Sequence, residues 1–495
     1  MADLDEQSAV ASEEATPEKK VKRARAAAAA TSKKTTGGKT GARRIKRPVT
    51  RNPEVETNAV NSADTLPASP DNHQIATGTE ASDMPVAAIQ EKSTPVAEQN
   101  HEQLSLLHDN SRENVQTEPV VIAEQTRPEP VYGEGLIEVS GKGFGFLRDP
   151  KRNYVQSPQD IFVTPEVVRK HALRDGLWIK GEIRRGSRGS QLFKLTEING
   201  EHPDRYRNLP VFEELTSLNP TKRIRLETVP DRYTTRVMDL MTPVGKGQRG
   251  LIVAPPRTGK TTLLQHIADA VVRNHPEVYL IILLVDERPE EVTEIRRTVP
   301  QADIMASSND SDIKSHTRIA LLAIERARRL VEAGKDAFVL MDSLTRMGRA
   351  FNNAMSNSGR TMSGGMDARA MEIPRKLFAA ARNTEEAGSL TIMATALIET
   401  GSKMDELIFQ EFKGTGNMEM VLDRQVSDQR VYPAIDIFKS GTRREELLIP
   451  ANDLEKINTI RRGLAGHRPV EAIERLLSFL RKFPTNAQML REIPG

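Results

Sequence analysis

The 495 residues contain no cysteine, one tryptophan, and no phenylalanine, tyrosine or tryptophan at all before Tyr132. Without cysteine there is no disulfide framework, no thiolate metal centre and no cysteine nucleophile, which fits a reducing cytoplasm. No apolar run approaches the roughly 20 residues of a membrane helix, and the N-terminus lacks the continuous apolar segment of a secretory signal, so a soluble cytoplasmic protein is expected. The missing aromatics divide the chain. Residues 19–51 hold 13 Lys/Arg and no acid, residues 52–130 hold 14 Asp/Glu against 3 Lys/Arg, and the net charge of +3 conceals this asymmetry. A segment so poor in large apolar groups cannot offset the entropy of ordering its backbone, so residues 1–130 are expected to be a disordered tail. Its basic block suits non-specific nucleic-acid contact or simple solvation, and composition does not decide between them.

From Tyr132 the pattern changes to short alternating apolar runs punctuated by Gly, Pro, Asn and Asp, the spacing of a small barrel over residues 131–205. In Gly143-Phe144-Gly145-Phe146-Leu147-Arg148 the period of two puts both phenylalanines on one face. That face is either a stacking platform for bases, with Arg148, Arg184, Arg185 and Arg188 attracting a phosphate backbone, or the filling of the barrel core. The segment by itself leaves both open. Residues 206–240 read as a connector.

Residues 241–495 carry phosphate chemistry. An apolar run, Gly250 to Ala254, leads into Pro255-Pro256-Arg257-Thr258-Gly259-Lys260-Thr261-Thr262 and then an apolar-periodic helix. Strand, loop and helix in that order place backbone amides around a polyphosphate, with Lys260 on the outer phosphates and the Thr261 hydroxyl on magnesium. Ala254 stands where the general pattern has glycine. A second apolar run, 278–285, ends in Asp286-Glu287-Arg288, and Glu287 is the candidate base for the attacking water. A third, 337–341, ends in Asp342, the candidate magnesium ligand. Successive strands and helices argue a mostly parallel sheet covered on both faces. Three Gly- and charge-rich loops, 358–367, 401–405 and 439–444, are either solvated turns or contacts to a moving ligand. In the last of them Arg443 could act from a neighbouring subunit.

With these strings in view, GFGFLR, DIFVTP, GQRGLIVAPPRTGKT, LLVDERPEEVTE, MDSLTR, SGGMDARA, GSKMDE, FKGTGNME and VYPAIDIFKSGTRREELL, the chain from about Tyr132 onward resembles the Rho family of bacterial RNA-dependent ATPases. The family pattern itself has alanine at the position of Ala254. The resemblance implies a RecA-like P-loop ATPase core behind an OB/cold-shock-like barrel, a homohexamer using ATP and Mg2+, and 5′-to-3′ helicase action on single-stranded, cytidine-rich RNA. RNA polymerase and its elongation factors are the implied partners.

Carried over residue by residue, the nucleotide contacts fall on Gly245, Lys246, Gly247, Gln248, Arg249, Gly250, Arg257, Thr258, Gly259, Lys260, Thr261, Thr262 and Arg288, with Tyr432 against adenine. The catalytic set is Glu287, Lys260, Arg346 and the arginine finger Arg443, and the metal ligands are Thr261 and Asp342. The primary RNA site falls on Gly143, Phe144, Gly145, Phe146, Leu147, Arg148, Asp160, Ile161 and Phe162. It continues to Ser190, Gln191 and Leu192, where Ser190 and Leu192 replace an acid and a tyrosine. The pore site is implied at Thr361, Met362, Ser363, Gly364, Gly365 and Lys403. The small helical bundle usual before the barrel has no convincing pattern here. A rotary-type ATPase catalytic subunit is the main alternative, sharing the core but needing no stacking motif; a non-enzymatic RNA scaffold is the other.

Overall fold

The computed structural model describes residues 130–186, 189–355, 364–367 and 369–493. Residues 1–129 of the expected tail 1–130, Arg188, most of the 358–367 loop and, within it, Thr361, Met362 and Ser363 lie outside them.

Five strands close a barrel in the order β1-β2-β3-β5-β4: β1 Val131–Val139, β2 Gly145–Arg148, β3 Ile161–Val163, β4 Trp178–Gly186 and β5 Gly189–Ile198. Its interior is the apolar half of each alternation, Ile137, Leu147, Val163, Ile179 and Leu192 among them, all buried. Register breaks between Lys180 and Gly181 and between Glu182 and Ile183 bend the long β4–β5 ribbon round to close it.

The remainder is built on a nine-stranded sheet. Its main path runs β8-β7-β9-β10-β6-β11-β12, with β6 Arg249–Ala254, β7 Tyr279–Glu287, β8 Asp303–Ser308, β9 Ala337–Asp342, β10 Ser389–Leu397, β11 Met418–Val421 and β12 Gly441–Thr442. All are parallel except β12. Continuous apolar runs are what a sheet covered on both faces requires, and the period of two then sorts them. Ile282 and Leu284 face one core with the helix α1 Lys260–Asn274 and α2 Pro289–Thr298, while Ile281, Leu283 and Val285 face the other with α3 Ile313–Glu332, α4 Leu344–Ala354 and α5 Lys403–Phe412.

The barrel rests on β8 and α3. Tyr154, 1% exposed, donates its hydroxyl to Asp303 at 2.6 Å. The Asn153 amide accepts from Ala306 N–H at 3.0 Å and donates to the same residue's carbonyl. Arg174 pairs with Glu332 at 2.7 Å, Arg318 with Glu138 at 3.2 Å, and Arg326 donates to Asn199 at 2.7 Å.

Candidate active site and aromatic face

The phosphate loop joins β6 to α1. Gly259 at φ +85° makes the turn at little cost, and no side chain caps α1, so its leading amides point at whatever anion occupies the loop. Thr258 braces the turn by donating its hydroxyl to the Pro255 carbonyl at 2.8 Å.

Neighbouring strand ends bring the charges together. A register shift between Val285 and Glu287 leaves Asp286 as an extra residue at φ +56°, and this bulge swings Glu287 inward, where it is 1% exposed. Lys260 Nζ pairs with Asp342 at the end of β9 and lies 3.8 Å from Glu287. Thr395 donates to the other oxygen of Asp342 at 2.7 Å. Arg346, in the first turn of α4, donates to the Asp286 carbonyl and sets Nη2 2.7 Å from Glu287 Oε2, but off the hydrogen-bond direction, so that buried oxygen has no bonded donor. Burial, reinforced by Asp342 and opposed by Lys260 and Arg346, pushes the Glu287 carboxyl up to about 7. The Thr261 hydroxyl is 3.5 Å from Glu291. Such a group can hold a phosphate, take a proton near neutral pH and exchange one cation for another.

Beside the loop lies a cavity of about 550 Å³ lined by Tyr432, Thr262, His266, Tyr233 and Arg257, within the size range of nucleotide pockets. Tyr432, 45% exposed, comes within 3.6 Å of where a Gly259 Cβ would sit. Tyr233 and the His266–Thr234 pair at 2.7 Å went unnoticed in the sequence; His266 follows Thr262 by one helical turn, which was the available signal.

Two groups of sequence-nominated residues are not brought to this loop. Residues 245–250 lie at the opposite end of β6, about 20 Å away for a strand of that length. Gly247, at φ +91°, has no room for a side chain, since a Cβ would meet the Asn383 backbone at 2.2 Å; Lys246 pairs with Asp336 at 2.7 Å and Gln248 donates to Asn417 at 2.7 Å. Arg443 is at that same end, exposed, with its N–H donated to the Asn417 carbonyl at 2.9 Å. After burial, the charges of Arg382 and Arg443 further depress the nearby Arg249 guanidinium. Arg288 is exposed at the start of α2.

On the barrel the two readings of the phenylalanines separate. Phe144, Phe146 and Phe162 stand half-buried on the outside, their ring centroids 5.6–5.8 Å apart. Gly145 and Leu147 face inward. Three nominated contacts therefore change. Leu147 and Leu192, 2% and 1% exposed, are core residues whose side chains do not reach the face. Arg148 is 5% exposed and held by Glu138 at 2.6 Å and Asp160 at 2.5 Å, its guanidinium 5.0 Å from the Phe146 centroid, so it lies against a ring and is tied to two carboxylates. A cavity of about 490 Å³ opens between Phe144, Phe146, Glu138 and Gln156. Ser190 and Gln191 are half-buried at the rim of this face. Elsewhere, Gly364 and Gly365 both have positive φ, and Gly364 lies against Lys403, exposed in the first turn of α5.

A model of the Rho termination factor RNA-binding domain matches residues 133–204, and one of the nucleotide-binding domain of the ATP synthase alpha/beta family matches residues 234–442. Transcription termination factor Rho of Cereibacter sphaeroides is 52% identical over 365 residues, covering 72% of this chain and 86% of its own. That of Aquifex aeolicus is 49% identical, covering 76% and 87%, and that of Escherichia coli K12 47%, covering 72% and 87%. Among the described residues no helix is long and apolar enough to cross a membrane.

Proposed function

The chain belongs to the family of transcription termination factor Rho, and from that premise we propose that it spends ATP at the Lys260–Glu287–Asp342 cluster to move single-stranded RNA through a ring of six copies. It is a nucleotide-binding ATPase and an RNA-binding transcription termination factor. The residue roles, the 5′-to-3′ helicase action, the hexamer, the magnesium ion and the action on RNA polymerase are the proposal.

The observation that carries it is the charge arrangement at the loop. Lys260 and Asp342 hold each other, yet a triphosphate and a divalent cation would suit each better. When phosphates enter, Lys260 turns to them and leaves Asp342; Asp342 and the Thr261 hydroxyl are the residues that would hold magnesium. Among the described residues no cluster of three or more acids or histidines could hold a metal alone, so magnesium here would lean on phosphate oxygens, as it commonly does. When bound it neutralises charge developing on the transferred phosphoryl. Glu287, poised near neutrality with Oε2 unbonded, accepts the proton of the attacking water, and Arg346 keeps that carboxylate aimed. Arg443, too far from its own loop, serves the loop of a neighbouring copy, where an arginine is worth about 10³–10⁵ in rate. Residues 245–250 lie at the same end of the sheet and face the same junction. Bases stack on Phe144, Phe146 and Phe162, and Gly364, Gly365 and Lys403 with Thr361, Met362 and Ser363 grip the strand within the ring.

A rotary ATPase subunit would share the core but not the exposed ring cluster or the match over residues 133–204. ATP hydrolysis measured with and without poly(C) tests the proposal. Stimulation is expected; a rate indifferent to RNA would overturn it.

A further inference from the structure

The ring cluster ends at Phe162, but the outer surface of the barrel continues from there without a break. Phe146 is in register with Phe162, Phe162 with Gln191, and Gln191 with Arg184. These are outward residues on successive strands, so Arg184 stands two strand spacings, about 10 Å, from Phe162. Its guanidinium carbon lies 3.2 Å from the centroid of Phe193, and its Nη2 is anchored 3.1 Å from Glu182.

Phe193 is there because of a bulge. The register passes from Glu182↔Lys194 to Ile183↔Leu192, leaving Phe193 with no partner and turning it out beside Lys194, 53% exposed, while Leu192 takes the core position. A single exposed phenylalanine is ordinary surface. One that lies two residues along β5 from Gln191, the register partner of Phe162, and is stacked on one side by an arginine and flanked by exposed Arg185 and Lys194, is a platform for a flat anionic polymer. It also brings exposed positive charge to this part of the face.

We propose that Phe193 and Arg184 form an additional base-stacking step of the RNA site, taken by the strand after it leaves Phe162 and crosses Gln191. The inference rests on the RNA-face reading of Phe144, Phe146 and Phe162.

The test measures binding of two oligocytidylates, of about four and about ten nucleotides, to the full chain by fluorescence anisotropy without nucleotide present. Phe193→Ala should weaken the longer ligand about fivefold or more and leave the shorter unchanged, and Phe193→Trp should restore it. Arg184→Gln should reduce the salt slope of the longer ligand by about one. Equal losses on both lengths would mean a disturbed barrel and would overturn the proposal, as would no loss on either. Phe146→Ala separates the two levels. If it weakens both ligands while Phe193→Ala weakens neither, only the additional step falls; if it too has no effect, the whole RNA face falls.

Discussion

At the ring cluster of the barrel the arginine is enclosed by two acids before a ligand arrives; at the phosphate loop a single lysine is divided between two buried acids. Arg148 is enclosed by Glu138 and Asp160, so recognition there is left to ring faces, which every base can use. Lys260 is divided between Asp342 and Glu287, and burial, with the charge of Asp342, pushes the Glu287 carboxyl up to about 7. The difference lies in what each leaves open: Arg148 is fixed between two carboxylates beside the rings, whereas the buried acids at the loop compete for one ammonium.

The largest effect is expected where the proposal makes the second region depend on another copy of the chain. Arg443→Ala should lower RNA-stimulated turnover by about 10³–10⁵ while nucleotide binding persists. Mixing it with Lys260→Ala should recover part of the rate, because some junctions then join an intact loop to an intact arginine; phosphate release by the mixture, equal to that of each variant alone, would break the assignment in trans.

Glu287→Gln should reduce turnover by about 10²–10⁴. The base is the ionised carboxylate, formed as pH rises through about 7. In the intact enzyme kcat/KM should therefore climb about tenfold per pH unit below that value and level off above it. A profile that stays bell-free and flat in the variant but climbing in the parent would sharpen the contrast with the barrel; parallel profiles would erase it.

On the barrel side, Phe144→Ala with Phe146→Ala should weaken poly(C) binding at least about tenfold and leave the dependence on salt unaltered, since rings and not cations are removed. A reduced salt slope in titrations at several ionic strengths would show that Arg148 is freer than its two partners imply. The smallest effect belongs to Tyr432→Ala, which removes about 1 kcal/mol of stacking and should raise KM for ATP roughly fivefold, with Tyr432→Phe close to the parent.

The sheet and its chemistry were legible because both follow from local order. Continuous apolar runs announce parallel strands, and ligands gather where such strands end, so the meeting of Lys260, Glu287 and Asp342 could be expected from the chain. What was not legible depends on direction or distance. Alternation put Phe144 and Phe146 together without saying whether they faced in or out; that needed Leu147 in the core. Glu138, which takes half of Arg148, sits on another strand. Residues 245–250 run into the first residues of the strand that carries the loop, and nearness along the sequence hid the length of β6 lying between. Leu192 and Phe193 exchanged roles through a bulge that no spacing rule announces, and the extra residue at Asp286 re-aimed Glu287 by the same device.

Asn153 has an effect reaching beyond the join it makes. β8 is the outermost parallel strand, and an outer strand offers bare amides and carbonyls on which a foreign chain could lengthen the sheet. By giving and taking one hydrogen bond at Ala306, a single side-chain amide imitates the missing neighbour. The RNA-binding module thus doubles as a bumper, keeping the rim of the motor from recruiting stray strands.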